Sequence, residues 1–192
     1  TSLITRLYNA QNGEIMLDGT RIQDYKLANL RQQISIVSQH VTLFDDTIRN
    51  NIGYGDTKYS DEQIIEAAKK AHAWEFIETQ EKGLDTPVGD NGLKLSSWKR
   101  QLIVIALAFL KDAPILILDE ATSALDNESE RIIKEAVETI MQNRTTIVIA
   151  HRLSTIQKAN RLIVLVDGQI SEQGTHEELI EQGGVYRDLC RA

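Results

Sequence analysis

The sequence predicts an α/β fold in which a mainly parallel sheet is covered by helices and interrupted by an inserted helical block. Three observations predict it. Short apolar runs, Ile34 to Val37, Ile115 to Leu118, Thr145 to Ile149 and Leu162 to Val166, alternate with segments of helical period. The run Ile115-Leu116-Ile117-Leu118 is continuous in its hydrophobicity and bounded by Pro114 and by Asp119-Glu120, as suits a central strand buried on both faces. Between about residues 51 and 110 the pattern is mostly helical. The 192 residues allow one substantial domain, and 42% hydrophobic with 26% charged residues excludes a disordered or fibrous chain.

The elements follow in order. Residues 1 to 8 read as part of an amphipathic helix. Apolar residues between Gly13 and Gly19, with Asp18-Gly19 as a turn signal before Arg21 and Ile22, predict a short hairpin. Leu27, Leu30 and Arg31 suggest a helical turn, and Ile34 to Val37 a strand that delivers Ser38 and Gln39 into a loop. Ser60 with Gln63 has the form of a capping box, opening a helix that carries Ile64, Ile65, Ala67, Ala68 and Ala71; a second short helix follows around Trp74 to Thr79. Leu95-Ser96-Ser97 caps a long helix to about Leu110, which Asp112-Ala113-Pro114 ends. After the Ile115 strand come a helix from about Glu128 to Met141, the strand Thr145 to Ile149, and a short helix. The strand Leu162 to Val166, an Asp167-Gly168 turn and a helical C-terminus complete the chain.

Charge and composition exclude several functions. The net charge of -7 gives no support to nucleic-acid binding, which draws on clustered positive charge. A single cysteine, Cys190, excludes an internal disulfide framework. The longest apolar candidate, Leu102 to Leu110, falls well short of the roughly 20 residues a membrane helix needs, so the isolated chain reads as soluble. His40, His72 and His176 show no metal-ligand spacing with Cys190.

Ligands of open parallel sheets bind beyond the carboxyl ends of the strands. Gln39, Asp119-Glu120 and His151 stand at three such ends. Adjacent acids after a buried strand suit phosphoryl chemistry, because one carboxylate can hold a hard cation through its water shell while its neighbour orients an attacking water. The bland alternative is a strand-end acid capping the next helix. The continuation Ala121-Thr122-Ser123-Ala124-Leu125-Asp126 and the strand-end His151 favour the functional reading.

On these residues, and over essentially the whole chain, the sequence resembles the nucleotide-binding domain of ATP-binding cassette (ABC) transporters, most closely the exporter type. The resemblance implies a P-loop NTPase, RecA-like core in residues 1–50 and 111–192, with the first strands and the Walker A loop missing, and an inserted helical subdomain in 51–110. It implies ATP and Mg2+ as ligands. Ile115 to Glu120 resembles the Walker B strand, in which Asp119 contacts magnesium through water and Glu120 acts as catalytic base or polarises the water. Ser123 to Asp126 matches the D-loop, where Ser123 and Asp126 communicate across a dimer interface, and His151 the switch histidine that contacts the γ-phosphate. Gln39 matches the Q-loop glutamine, which joins the metal and water shell and couples to the transmembrane domain. Val88-Gly89-Asp90-Asn91-Gly92 resembles the exporter loop that touches cytoplasmic coupling helices.

The same resemblance implies the partners: a transmembrane domain, expected upstream in the same polypeptide, and a second nucleotide-binding domain in a head-to-tail dimer. It places the chain at the cytoplasmic face of a bacterial inner membrane. Asp45 to Ile52 and Gly174 to Leu179 look like bacterial lipid exporters, so the cargo expected is a lipid. A soluble ABC-type ATPase that transports nothing is disfavoured by the exporter-like loop at Asp90 and by the lack of a coiled-coil or basic extension.

Two departures qualify these expectations. No G-x-x-x-x-G-K-S/T loop is present, although its backbone and Lys normally cradle the phosphates. The chain is therefore either a piece of a longer product or a protein without the loop, and alone it is expected to bind ATP poorly and to be weakly active or inactive. Second, where the family has Leu-Ser-Gly-Gly-Gln, this chain has Leu95-Ser96-Ser97-Trp98-Lys99. Ser96 keeps the hydroxyl that binds the γ-phosphate of the opposite subunit, but the glycines that allow close backbone approach are replaced. A tolerated variant and an impaired, regulatory half-site are the two readings, and the bulk of Trp98 favours impairment.

Overall fold

A computed structural model describes residues 2–38, 40–119, 126–149 and 156–191. The chain forms two compact units, Thr1–Ile147 and Val148–Ala192. Among the described residues no helix is long and apolar enough to cross a membrane.

In the first unit the expected opening helix is replaced by turns over residues 2–6. Arg6 takes a left-handed φ of 52°, and the Leu7 N–H donates to the Ser2 carbonyl at 2.9 Å, the closure typical of a helix C-terminus. Long-range donors hold this segment, and local periodicity does not register them. The Arg6 guanidinium donates to the carbonyls of Ile22 and Tyr25 at 3.2 and 2.9 Å, and Arg31 donates to the carbonyl of Thr5 at 3.1 Å. The hairpin forms as its turn signal predicts: β1 (Met16–Leu17) pairs antiparallel with β2 (Thr20–Arg21). Asp18 and Gly19 both have positive φ, 48° and 78°, the type I′ geometry that Asp-Gly favours.

A helix α1 (Leu27–Gln32) leads into β3 (Ile34–Ser38). The three-stranded sheet has the order β3, β4 (Ile115–Asp119), β5 (Thr145–Ile149). The Ile115 run is thus the central strand, and Leu116, Ile117 and Leu118 are buried. β3 and β4 are parallel, paired from Ile34 with Ile115 to Ser38 with Asp119. Ile22, Leu30, Ile34 and Ile117 form one core cluster.

Four helices fill the stretch between β3 and β4. Thr47 caps α2 (Ile48–Gly53) by accepting from the Asn50 N–H, and α3 (Asp61–Lys70) opens with both bonds of the Ser60–Gln63 capping box. α4 (Trp74–Ile77) is a single turn. The long α5 (Ser97–Lys111) buries Leu102, Ile103, Ile105 and Ala106 and packs against α2, α3 and β3. The expected subdomain limits at 51 and 110 fall inside α2 and α5. Asp112 ends α5 with a left-handed φ of 52°. The Lys111 ammonium donates to the carbonyls of Arg31, at 2.7 Å, and Ile34, tying the end of α5 to α1 and β3; burial pulls its pKa down. α6 (Asn127–Met141) follows β4, and Arg144 pins its end by donating to the carbonyls of Ile140 and Ala113 at 2.7 and 2.6 Å.

The second unit is a hairpin with helices. β6 (Leu162–Val166) pairs antiparallel with β7 (Gln169–Gly174) through Asp167-Gly168, again both at positive φ. α7 (His176–Gln182) has a complete Thr175–Glu178 capping box, and α8 (Val185–Arg191) closes the chain. Leu162, Val164, Leu179 and Tyr186 form its core.

Candidate functional site

The parallel register of β3 and β4 ends both strands together and sets Ser38 beside Asp119. That is the carboxyl end of the sheet, where open α/β folds bind ligands. Asp119 is half-buried, and its carboxylate has no hydrogen-bond or ion-pair partner among the described residues; a carboxylate is a ligand type suited to a hydrated hard cation. This arrangement fits magnesium held through water. Among the described residues no group of three or more His, Cys, Asp and Glu could hold a metal by itself. Gln39, Glu120, Ser123 and His151, the other residues expected here, lie outside the described residues.

Asp126 stands at the start of α6. It caps α6, accepting from the Ser129 N–H at 3.0 Å and from the Ser129 hydroxyl at 2.7 Å. The backbone bond from Ser129, then the hydroxyl bond, hold its carboxyl below the ordinary carboxylate range.

Ser96 stands at the N-cap of α5 with extended φ and ψ of −64° and 158°, yet its side chain makes no capping bond. Ser96 is exposed, and its hydroxyl has no hydrogen-bond partner among the described residues. The neighbouring Trp98 ring packs edge-on against Phe76 of α4, with centroids 6.0 Å apart. No hydrogen bond or ion pair among the described residues joins Ser96 to Asp119.

Side chains that pattern reading passed over build the surroundings. Gln101, buried within α5, donates to the Ser38 carbonyl at 3.3 Å and ties the helix to the end of β3. Asn51 holds the loop after β3: its Oδ1 accepts from the Phe44 N–H at 2.9 Å, and its Nδ2 donates to the carbonyls of Phe44 and Thr47. A buried Asn within a helical pattern is the only local trace of this role.

Two segments noted separately in the sequence are brought together. The Val88 N–H donates to the Asp46 carbonyl at 3.0 Å, and the Ile48 N–H to the Thr86 carbonyl at 3.0 Å. Asn91 accepts from the Leu43 N–H. The loop through Asp90 therefore rests on the loop that follows Gln39. Arg100 of α5 joins the same assembly, donating to the carbonyls of Leu95 and Gly92 at 2.9 and 3.4 Å. A continuous path of bonds thus runs from the first turns of α5 through residues 88–92 to the loop behind β3.

Comparisons with known proteins identify the family. A family profile described as "ABC transporter" matches residues 1–123. The chain is 56% identical over 192 residues to the ATP-dependent lipid A-core flippase of Alcanivorax borkumensis, covering 100% of this chain and 33% of that protein. It is 58% identical over 189 residues to the protein of the same description from Mannheimia succiniciproducens, covering 98% and 32%. The Escherichia coli counterpart is 56% identical over 189 residues, with the same coverage. Among solved structures, a bacterial Atm1-family ABC exporter with ATP bound superposes with a TM-score of 0.88 at 40% identity, over 99% of this chain and 33% of that one. The chain spans about a third of the length of the relatives it matches.

Proposed function

We propose, from the premise that this chain belongs to the ABC transporter family, that it is the ATP-binding and ATP-hydrolysing part of a membrane exporter whose cargo is a lipid of the lipid A-core type. The observation that carries the reading is the shared end of β3 and β4, which sets Asp119, with no hydrogen-bond or ion-pair partner among the described residues, beside Ser38 at the exit of a parallel sheet. Whole-chain identity to proteins described as lipid A-core flippases supports the choice of cargo.

In this reading Asp119 holds hydrated magnesium, whose charge offsets that developing on the phosphoryl oxygens. Glu120 orients and polarises the attacking water, His151 contacts the γ-phosphate, and Gln39 closes the shell and reports its state to the loop behind β3. Ser96 serves the ATP of a second copy arranged head to tail, and Ser123 and Asp126 line the same interface. The path from α5 through residues 88–92 carries dimer closure to a transmembrane domain, at the cytoplasmic face of the inner membrane. Without a phosphate-binding loop among its own residues, the isolated chain hydrolyses ATP weakly or not at all.

The reading is tested by a hybrid in which this chain replaces the aligned third of the Escherichia coli flippase. ATP turnover by the purified hybrid is expected, with Glu120→Gln and Asp119→Asn each lowering it by about a hundredfold or more. Equal turnover in the hybrid and both variants contradicts it.

A further inference from the structure

We propose that Trp98 is a positioning residue: with Phe76 and Lys99 it clamps the first turn of α5 to α4, and so holds Ser96 in place for the terminal phosphate of an ATP carried by a second copy. This rests on the dimeric reading given above and names the residues that fix this half of the composite site.

The sequence alone made Trp98 an obstruction, because a large side chain replaces a glycine. Its contacts give it a different use. The indole packs in a T-shaped arrangement on Phe76, and Phe76 is only 7% exposed, so the ring is anchored to the body of the helical block and not to a loose loop. The Lys99 ammonium lies 5.4 Å from the Phe76 centroid and 5.5 Å from the Trp98 centroid, shared between the two rings. Arg100 holds the other side of the same turn through the Leu95 and Gly92 carbonyls. The first turn is therefore gripped from α4 and from the loop through Asp90 at once. A glycine pair offers no side chain for such a grip and leaves the backbone freer. Ser96, at the head of this turn, keeps an exposed hydroxyl with no capping bond. Anchoring in place of glycine freedom is thus built from Trp98, Lys99 and Phe76, and it leaves the hydroxyl available.

The test mixes the full 192-residue chain with the nucleotide-binding part of the Escherichia coli flippase, including that protein's own phosphate loop. The β,γ-imido analogue of ATP with Mg2+ is the probe, and association is followed by sedimentation. Trp98→Ala is expected to raise the analogue concentration for half-maximal association about tenfold, the size of losing one aromatic pair and one cation–π contact. Trp98→Phe, which keeps the ring pair, is expected to stay within about twofold. In a Trp74→Phe background the Trp98 emission is expected to shift only when analogue and partner are both present, a signal that a purely structural tryptophan does not give. Thermal melting of each variant separates misfolding from loss of positioning. Association of Trp98→Ala equal to that of the unsubstituted chain, with Ser96→Ala impaired, overturns the clamp and leaves the dimeric reading standing. If the unsubstituted chain fails to associate while the flippase part pairs with itself, the dimeric reading is overturned and the clamp with it.

Discussion

Gly92 shows how a single residue can carry the geometry of the site. Its φ is +71°, and a β-carbon there would lie 2.7 Å from Cδ of Arg100 and 2.9 Å from Cδ1 of Leu43. Arg100 belongs to α5 and Leu43 to the loop behind β3. Gly92→Ala is expected to destabilise the chain by about 1–3 kcal/mol, read as a lower urea midpoint. An unchanged midpoint counts against the strained turn. Asp126 gives a prediction in pH. Its folded pKa is depressed by the Ser129 bonds, so its stabilising contribution is present above the ordinary carboxylate pKa of about 3.9 and is lost as pH falls through the folded value. Asp126→Asn keeps a capping oxygen without the titration. The stability gap between the two proteins is expected at neutral pH and should close as the pH is lowered below about 3.9, measured by urea unfolding. A gap independent of pH contradicts the assignment. At this scale the sequence announces residues that end strands, such as Asp119, because hydrophobic runs stop abruptly there. It does not announce Asn51, Gln101 or the Trp98–Phe76 pair, whose partners lie across the fold.

Elements were legible wherever their signals are local. Asp18-Gly19 and Asp167-Gly168 both need two residues at positive φ, and both form the expected hairpins. The capping box of α3 is equally local, since Ser60 and Gln63 satisfy each other's backbone within one turn. Ser60→Ala is expected to cost about 1 kcal/mol in urea unfolding; no loss would show that tertiary packing of Ile64, Ala67 and Ala68 alone fixes the helix start. The opening segment is the counterexample. Its periodicity continues through Tyr8, but residues 2–6 form turns, bonded through Arg6 and Arg31 to residues up to 26 positions away. The α5 staple made by Lys111 is likewise invisible to periodicity, because it joins residues 80 positions apart.

For the whole molecule, the proposed function gives the parallel β3–β4 pair and the path from α5 to the loop behind β3 the parts of a motor that closes on nucleotide and pulls on a membrane partner. The binding energy for phosphate resides in a glycine-rich loop that these 192 residues do not contain, so the isolated chain is expected to bind MgATP more weakly than about 1 mM in equilibrium dialysis. Tighter binding that Asp119→Asn abolishes would contradict that dependence. The central claim, an ATPase that drives lipid export, is tested most directly by lipid movement. The hybrid carrying this chain in place of the aligned third of the Escherichia coli flippase is placed in proteoliposomes with labelled lipid A-core, and transfer between leaflets is followed with and without MgATP. Transfer that requires MgATP and disappears in Glu120→Gln is the predicted result; no MgATP-dependent transfer by a folded hybrid, or transfer unaffected by Glu120→Gln, would contradict it.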